Sequence, residues 1–186
     1  MGKILIFNAE TTRVEENYNR QTRELIAQKE ADKLAKAAAP RMAEYSPGYI
    51  YYFPGGFIEL TAKIIADFYR LPLQILPGCD DLTDTELAEY DSLNIEKGLN
   101  GRLLERLRII IDNSLDKVIE LHKKDSIVIV ASKHLCVIMV LYMLHMNNSH
   151  YGQIEQSDGA MNLFEVRSGV PSALYINDTC HMRDLV

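Results

Sequence analysis

Lys3-Ile4-Leu5-Ile6-Phe7-Asn8-Ala9-Glu10-Thr11 is the stretch on which the fold turns: an apolar, β-prone run that stops abruptly at polar residues. A buried strand with Asn8 at its C-terminal edge fits this pattern, and open α/β sheets place their ligands at that edge. Working outward, Ser46-Pro47-Gly48 predicts a turn before a second strand, Tyr49-Ile50-Tyr51-Tyr52-Phe53. Pro72 to Leu76 predicts a short strand that Pro77-Gly78 closes. Ser126 to Val130 is a β-branched run of the kind found in central parallel strands covered on both faces. Leu163–Val166 and Ala173–Ile176, separated by Ser168-Gly169, predict two closing strands.

Helical patterns fill the intervals between these strands. Glu15 to Ala43 is rich in Glu, Lys, Arg and Ala, with Leu25, Ala31, Leu34 and Ala38 at helical spacing, and predicts one or two amphipathic helices that weaken or end at Pro40. A helix is expected from about Ile58 to Tyr69, another over Arg102 to Lys124 with Asn100 as its cap, and a buried one starting near His134. Cys79 to Gly98 is acidic, with a short helix near Thr83 to Tyr90, and is expected to be an insertion over the site. Asn147 to Asp158 is expected to be polar loop. Strands alternating with helices predict one domain over residues 1–186, a three-layer α/β/α sandwich with a mostly parallel sheet and helices on both faces.

Composition narrows the function. The chain has 186 residues, 47% hydrophobic and 25% charged, enough for a substantial core. A formal net charge of −6 argues against nucleic acid as the main partner, since backbone binding relies on clustered Lys and Arg. The three cysteines, Cys79, Cys136 and Cys180, form neither a disulfide set nor a metal signature, which suits a reducing, cytoplasmic setting. The longest apolar run, Leu135 to Leu144, is too short for a bilayer, which needs about 20 residues. His122, His145 and His150 lack metal-ligand spacing, so no metal is expected, and no cofactor either.

The order of elements and several motifs resemble the histidine phosphatase (phosphoglycerate mutase-like) superfamily, whose first strand ends in Arg-His-Gly-Glu-Thr. Those positions read Phe7, Asn8, Ala9, Glu10 and Thr11 here. The family's Ser-Ser-Pro-Leu-x-Arg-Ala-x-x-Thr-Ala falls without a gap on Tyr52 to Ala62, which puts Phe57 at the second arginine. Its acidic residue before a variable insertion matches Asp81, and its Val-Ser-His-Gly reads Ala131-Ser132-Lys133-His134, so Lys133 stands at the second histidine. Leu174 to His181 matches the closing strand and its Asn-x-x-His ending.

In that family one histidine takes up the phosphoryl group, arginines and a second histidine neutralise its oxygens, and a carboxylate protonates the leaving group. The resemblance implies those roles for Asn8, Phe7, Phe57, Lys133 and Asp81, and four of the five residues have changed chemistry. An amide nitrogen lone pair is delocalised, so Asn8 can hydrogen-bond to an oxygen but cannot carry a phosphoryl group. Two lost guanidinium groups remove bidentate phosphate contacts. Asn8, Glu10, Thr11, Asp81, Ser132, Lys133, His134, Thr179 and His181 are expected to converge at the strand ends as ligand-binding residues. Lys133, with the helix N-terminus that follows it, could bind an anion, or it could pair with Asp81 or Glu10. Tyr49, Tyr51, Tyr52, Phe53 and Phe57 could stack an aromatic ring or serve as packing.

The leading expectation is a catalytically inactive histidine phosphatase-like protein that binds a small phosphorylated or nucleotide-like ligand for sensing or sequestration. One alternative is an enzyme of altered mechanism using Asp81, His134 or His181 as acid or base. Another is an interaction module that forms a homo-oligomer through exposed tyrosines or an edge strand.

Overall fold

A computed structural model describes residues 2–9, 20–55, 58–80, 82–83, 86 and 101–185. In chain order the regular elements are β1 (Gly2–Asn8), α1 (Arg20–Met42), β2 (Tyr49–Tyr52), α2 (Ile58–Tyr69) and β3 (Leu73–Ile75). They continue with α3 (Gly101–Leu121), β4 (Ser126–Ala131), α4 (Lys133–Met143), β5 (Met161–Arg167) and β6 (Val170–Asp178). Short 3-10 turns cover Ala43–Tyr45, Asn148–Gln153 and Cys180–Leu185.

The six strands form one sheet in the order β3-β2-β4-β1-β5-β6. β1 pairs in parallel with β4, Lys3 opposite Ser126 and Asn8 opposite Ala131, while β2 pairs in parallel with both β4 and β3. β5 runs antiparallel to β1 and to β6, which returns the last strand to the parallel direction. The ends of β1, β2, β4 and β6 therefore share one edge of the sheet.

Strand periodicity divides the core in two. Ile4, Ile6, Tyr51, Phe53, Ile127, Ile129, Phe164 and Val166 turn to one face, under α3 and α4. Leu5, Phe7, Ile50, Tyr52, Val128, Val130 and Leu163 turn to the other, under α1 and α2. Successive side chains of a strand point to opposite faces, so an uninterrupted apolar run such as Ile4 to Phe7 needs cover on both sides. Helices supply that cover. Leu104, Leu107, Ile111, Leu115 and Val118 recur at helical spacing on the buried stripe of α3. On α1 the buried positions Ala27, Ala31, Leu34, Ala35 and Ala38 are mostly small, which lets that helix lie close against its neighbours.

Some boundaries differ from the sequence expectation. α1 runs through Pro40 and stops only at Met42, before a 3-10 turn that ends on Ser46 at φ 49°. A proline so close to a helix end removes one backbone hydrogen bond and leaves the preceding turns intact. Asn147 to Asp158 is not all loop: its first half winds into the 3-10 turn, where the Asn147 side chain accepts from the Ser149 N–H. The closing strands are longer than predicted because sheet pairing extends past their apolar centres. The expected cap Asn100 and nearly all of the Cys79–Gly98 insertion lie outside the described residues. Among the described residues, no helix is long and apolar enough to cross a membrane.

Candidate functional site at the strand ends

β1 and β4 end side by side, and the chain leaves them in register: the Ala9 N–H donates to the Ala131 carbonyl at 2.9 Å. The Phe53 N–H likewise donates to the Val130 carbonyl at 3.1 Å, bringing the end of β2 to the same edge. Ser132 and Lys133 follow immediately, Ser132 in extended conformation (φ −74°, ψ 166°) and Lys133 as the first residue of α4. Both are half-buried. Backbone N–H groups of the first helical turn have no partner within the helix and point toward this edge. His134 is one residue on, and its Nδ1 lies 2.8 Å from the Tyr151 hydroxyl of the 3-10 turn.

Asn8 occupies the centre of the edge and is fully buried. Its side-chain Nδ2 donates to the Ser157 carbonyl at 2.8 Å, its backbone N–H donates to Ala160 O at 2.9 Å, and its carbonyl accepts from Gly159 N at 3.1 Å. The loop of residues 156–160 is thus strapped to the tip of β1 from three directions. Behind it, Gln156 and Asn162 exchange amide hydrogen bonds at 2.8 and 2.9 Å, and Asn162 Nδ2 also donates to the Ile6 carbonyl at 3.2 Å. Asn177 completes the cluster: its N–H donates to Asn162 Oδ1 at 3.0 Å and its own Oδ1 accepts from Ser157 N at 2.7 Å. Asn177 has φ 56°, a left-handed conformation that asparagine tolerates better than most residues.

Sequence reasoning missed Gln156, Ser157 and Asn162 as members of this cluster. The available signal was Asn162 itself, one amide in the otherwise apolar run Met161 to Phe164. A buried polar side chain is retained where hydrogen-bond partners exist for it.

Thr179 and His181 follow β6 at the same edge and are half-buried. The His181 ring sits 6.4 Å from the Phe7 ring, with both nitrogens buried beside the Gly159 backbone. Burial pushes its pKa down, opposed by Asp178. The Asp178 carboxyl is held below its usual range, chiefly by the Cys180 thiol. Phe7 is fully buried in the face under α1 and α2, so the position that resembles an arginine is part of the core.

The structure thus brings Asn8, Ser132, Lys133, His134, Thr179 and His181 to one edge of the sheet. Glu10, Thr11, Asp81 and Phe57 lie outside the described residues. Among the described residues, the aromatic side chains of β2 and Phe53 do not share one face. Tyr51 and Phe53 turn to one face and Tyr52 to the other, while Tyr51 Oη lies 2.8 Å from His122 Nε2 and the Tyr49 ring lies 3.9 Å from the His122 ring. Among the described residues no cluster of three or more His, Cys, Asp or Glu side chains is placed to hold a metal ion.

No protein-family profile and no curated protein sequence matches the chain. Solved structures do match, across nearly its whole length. A histidine-to-alanine variant of phosphoserine phosphatase from Entamoeba histolytica in complex with phosphoserine superposes with a TM-score of 0.68 at 16% identity, covering 98% of this chain and 100% of that one. The alpha-ribazole phosphatase from Shigella flexneri gives 0.63 at 11% identity, covering 95% and 96%. A mycobacterial glucosyl-3-phosphoglycerate phosphatase complexed with VO3 gives 0.60 at 11% identity, covering 95% and 99%. The chain has the phosphoglycerate mutase-like fold of the histidine phosphatases, and at these identities the likeness is one of fold.

Proposed function

We propose that this protein is a histidine phosphatase-like binding protein that holds a small phosphorylated ligand at the strand ends without turning it over. The observation that carries the reading is the state of Asn8: fully buried, an amide in place of an imidazole, its nitrogen committed to the Ser157 carbonyl. Phosphoryl transfer through a covalent intermediate needs an accessible nucleophile with a free lone pair, and this residue has neither property. Phe7, packed in the core, adds no charge to stabilise a transferring group.

Binding needs less. Lys133 supplies a positive point charge, and the first turn of α4 supplies backbone donors beside the tip of β1. Glu10, Thr11, Asp81, Ser132, His134, Thr179 and His181 complete the proposed site. The fold neighbours support this class of ligand, since the Entamoeba protein is found with phosphoserine in its histidine-to-alanine variant and with 3-phosphoglyceric acid in another structure.

Calorimetric titration of the purified chain with phosphoserine and 3-phosphoglycerate, alongside a phosphate-release assay on the same solutions, tests the reading. Binding is expected without release, and Lys133→Ala should weaken it about tenfold, the loss of one charge-assisted contact. Release above background that Asp81→Asn and His181→Ala both abolish would establish an enzyme of altered mechanism instead.

One observation favours a second reading as a self-associating module. The edge strand β6 exposes Val170 and Leu174, at 60% and 53%. Concentration-dependent sedimentation together with no binding of either phosphorylated ligand would favour it over the first.

A further inference from the structure

A second concave site lies on the far layer of the molecule, between the middle of α3 and the turn that follows α4. It has a volume of about 460 Å³ and is lined by Arg108, Asp112, Tyr142, His145, Asn147 and Asn148 among others. The depression is shallow and open to solvent, so a ligand there would be held from one side, by polar contacts.

The hydrogen-bond inventory of these residues is lopsided. Arg108 spends Nε on Asp112 Oδ1 at 2.5 Å, and Nη1 on the Met146 carbonyl at 3.0 Å and Asn148 Oδ1 at 3.4 Å, which among the described residues leaves Nη2 uncommitted. Asn147 turns its Oδ1 to Ser149 N and His150 Nδ1, both at 3.0 Å. With both amide oxygens so engaged, the two Nδ2 groups remain as donors, by assignment from the network. On the acceptor side, Asp112 keeps its Oδ2, while Tyr142 donates its hydroxyl proton to Asp116. Among the described residues, three donors, one of them on a guanidinium, stand with the spare Asp112 Oδ2, and the Tyr142 hydroxyl oxygen and the exposed His145 ring complete the lining.

The geometry points to a binding site for a small zwitterion of the free amino acid class, its carboxylate on Arg108 Nη2 and the Asn147 and Asn148 amides and its ammonium on Asp112 Oδ2. An α-amino acid carries its two charges on adjacent atoms of one carbon, and the Arg108–Asp112 ion pair offers the matching opposite charges side by side. The guanidinium is the better partner for the carboxylate because its planar donors outlast competition from water. Burial raises the Asp112 carboxyl against the pull of Arg108, so a second cation there relieves a desolvated charge. This site is independent of the strand-end site. It nevertheless shares an element with it: Asn148 begins the 3-10 turn whose Tyr151 meets His134.

Titration of the isotope-labelled full chain with alanine, propionate and ethylamine tests the assignment by amide spectra. Alanine should saturate, shifting the Asn147 and Asn148 side-chain resonances, with propionate and ethylamine each at least about tenfold weaker because each lacks one charged partner. Asp112→Asn, which keeps the side-chain shape, should weaken alanine about tenfold and leave propionate unchanged. A Lys124→Ala variant, at an exposed position away from the proposed contacts, should bind as the parent does. The inference is overturned if alanine produces no saturable shift, if propionate binds as well as alanine, or if the shifts map to Ser132–His134 instead.

Discussion

Asn8 Nδ2 donates to the carbonyl oxygen of Ser157 at 2.8 Å, joining the tip of the central strand to a loop 149 residues further along the chain. The residue at the tip of β1 works as a fastener. Its amide works on the protein's own backbone, and the loop it holds carries Gly159 and Ala160, which close on β1 from the other side.

Asn8→Ala should destabilise the protein by about 1 to 3 kcal/mol, the cost of leaving buried partners unsatisfied. Urea unfolding with unchanged slope would register it as a pure stability loss. Asn8→His should be no more active in phosphate release than the parent, because a larger ring must displace the 156–160 loop before it reaches solvent.

Stability should fall on the acid side through His181. Its folded pKa lies below the ordinary value of about 6.5, so below that pH the unfolded chain binds the proton more readily than the native one. By linkage, stability then drops as pH falls through 6.5 toward the lower native value and is full above it. Thermal melts from pH 8 to pH 5 should show this slope, and His181→Phe should flatten it. An unchanged slope in the variant assigns the acid sensitivity elsewhere.

Gly159→Ala should lower stability by at least about 1 to 2 kcal/mol. The residue has φ +71°, where an L side chain is strained. A Cβ there would also meet Met182 Sδ at 2.9 Å and Leu34 Cδ2 at 3.0 Å. Met182→Ala in the same chain should recover only the Met182 share of the steric cost, leaving the Leu34 contact and the backbone strain in place.

Asn162→Asp tests the amide cluster. Asn162 donates to the Ile6 carbonyl and to Gln156 Oε1, so an ionised carboxylate would face two acceptors in a site without solvent. The introduced acid should have a raised pKa, and the variant should lose about 3 kcal/mol or more at neutral pH. Because its charged form is the disfavoured one, stability should improve as pH falls toward 4, the reverse of the parent's acid behaviour.

Much of the scaffold was legible in the residues because burial on both faces leaves a strong signature. Ile4 to Phe7 and Ile127 to Val130 read as strands and sit at the centre of the sheet. The α2 bounds coincide with the expected Ile58 to Tyr69, since a sharp turn and a proline bracket an amphipathic segment. The site was harder to read. Lys133 and His134 fall at the sheet edge as the motif resemblance implied, but which way Asn8 spends its amide depends on a loop far away in sequence. Likewise, Tyr49, Tyr51, Tyr52 and Phe53 read as a possible aromatic cluster, whereas the sheet sends Tyr51 and Tyr52 to opposite layers, and His122, just after α3, lies against the Tyr51 hydroxyl. Long-range side-chain partners leave little trace in local pattern.

The place of β1 in the sheet also bears on how the chain is made. Its hydrogen-bonding neighbours are β4 and β5, so Lys3 waits for Ser126 and Glu165 to be synthesised before either edge is covered. Until both of those partners have joined the sheet, the greasy segment Ile4 to Phe7 stays unsheltered. Such distant pairing slows folding and leaves an adhesive strand uncovered until both partners are in place, so dilution and low temperature should favour refolding over aggregation.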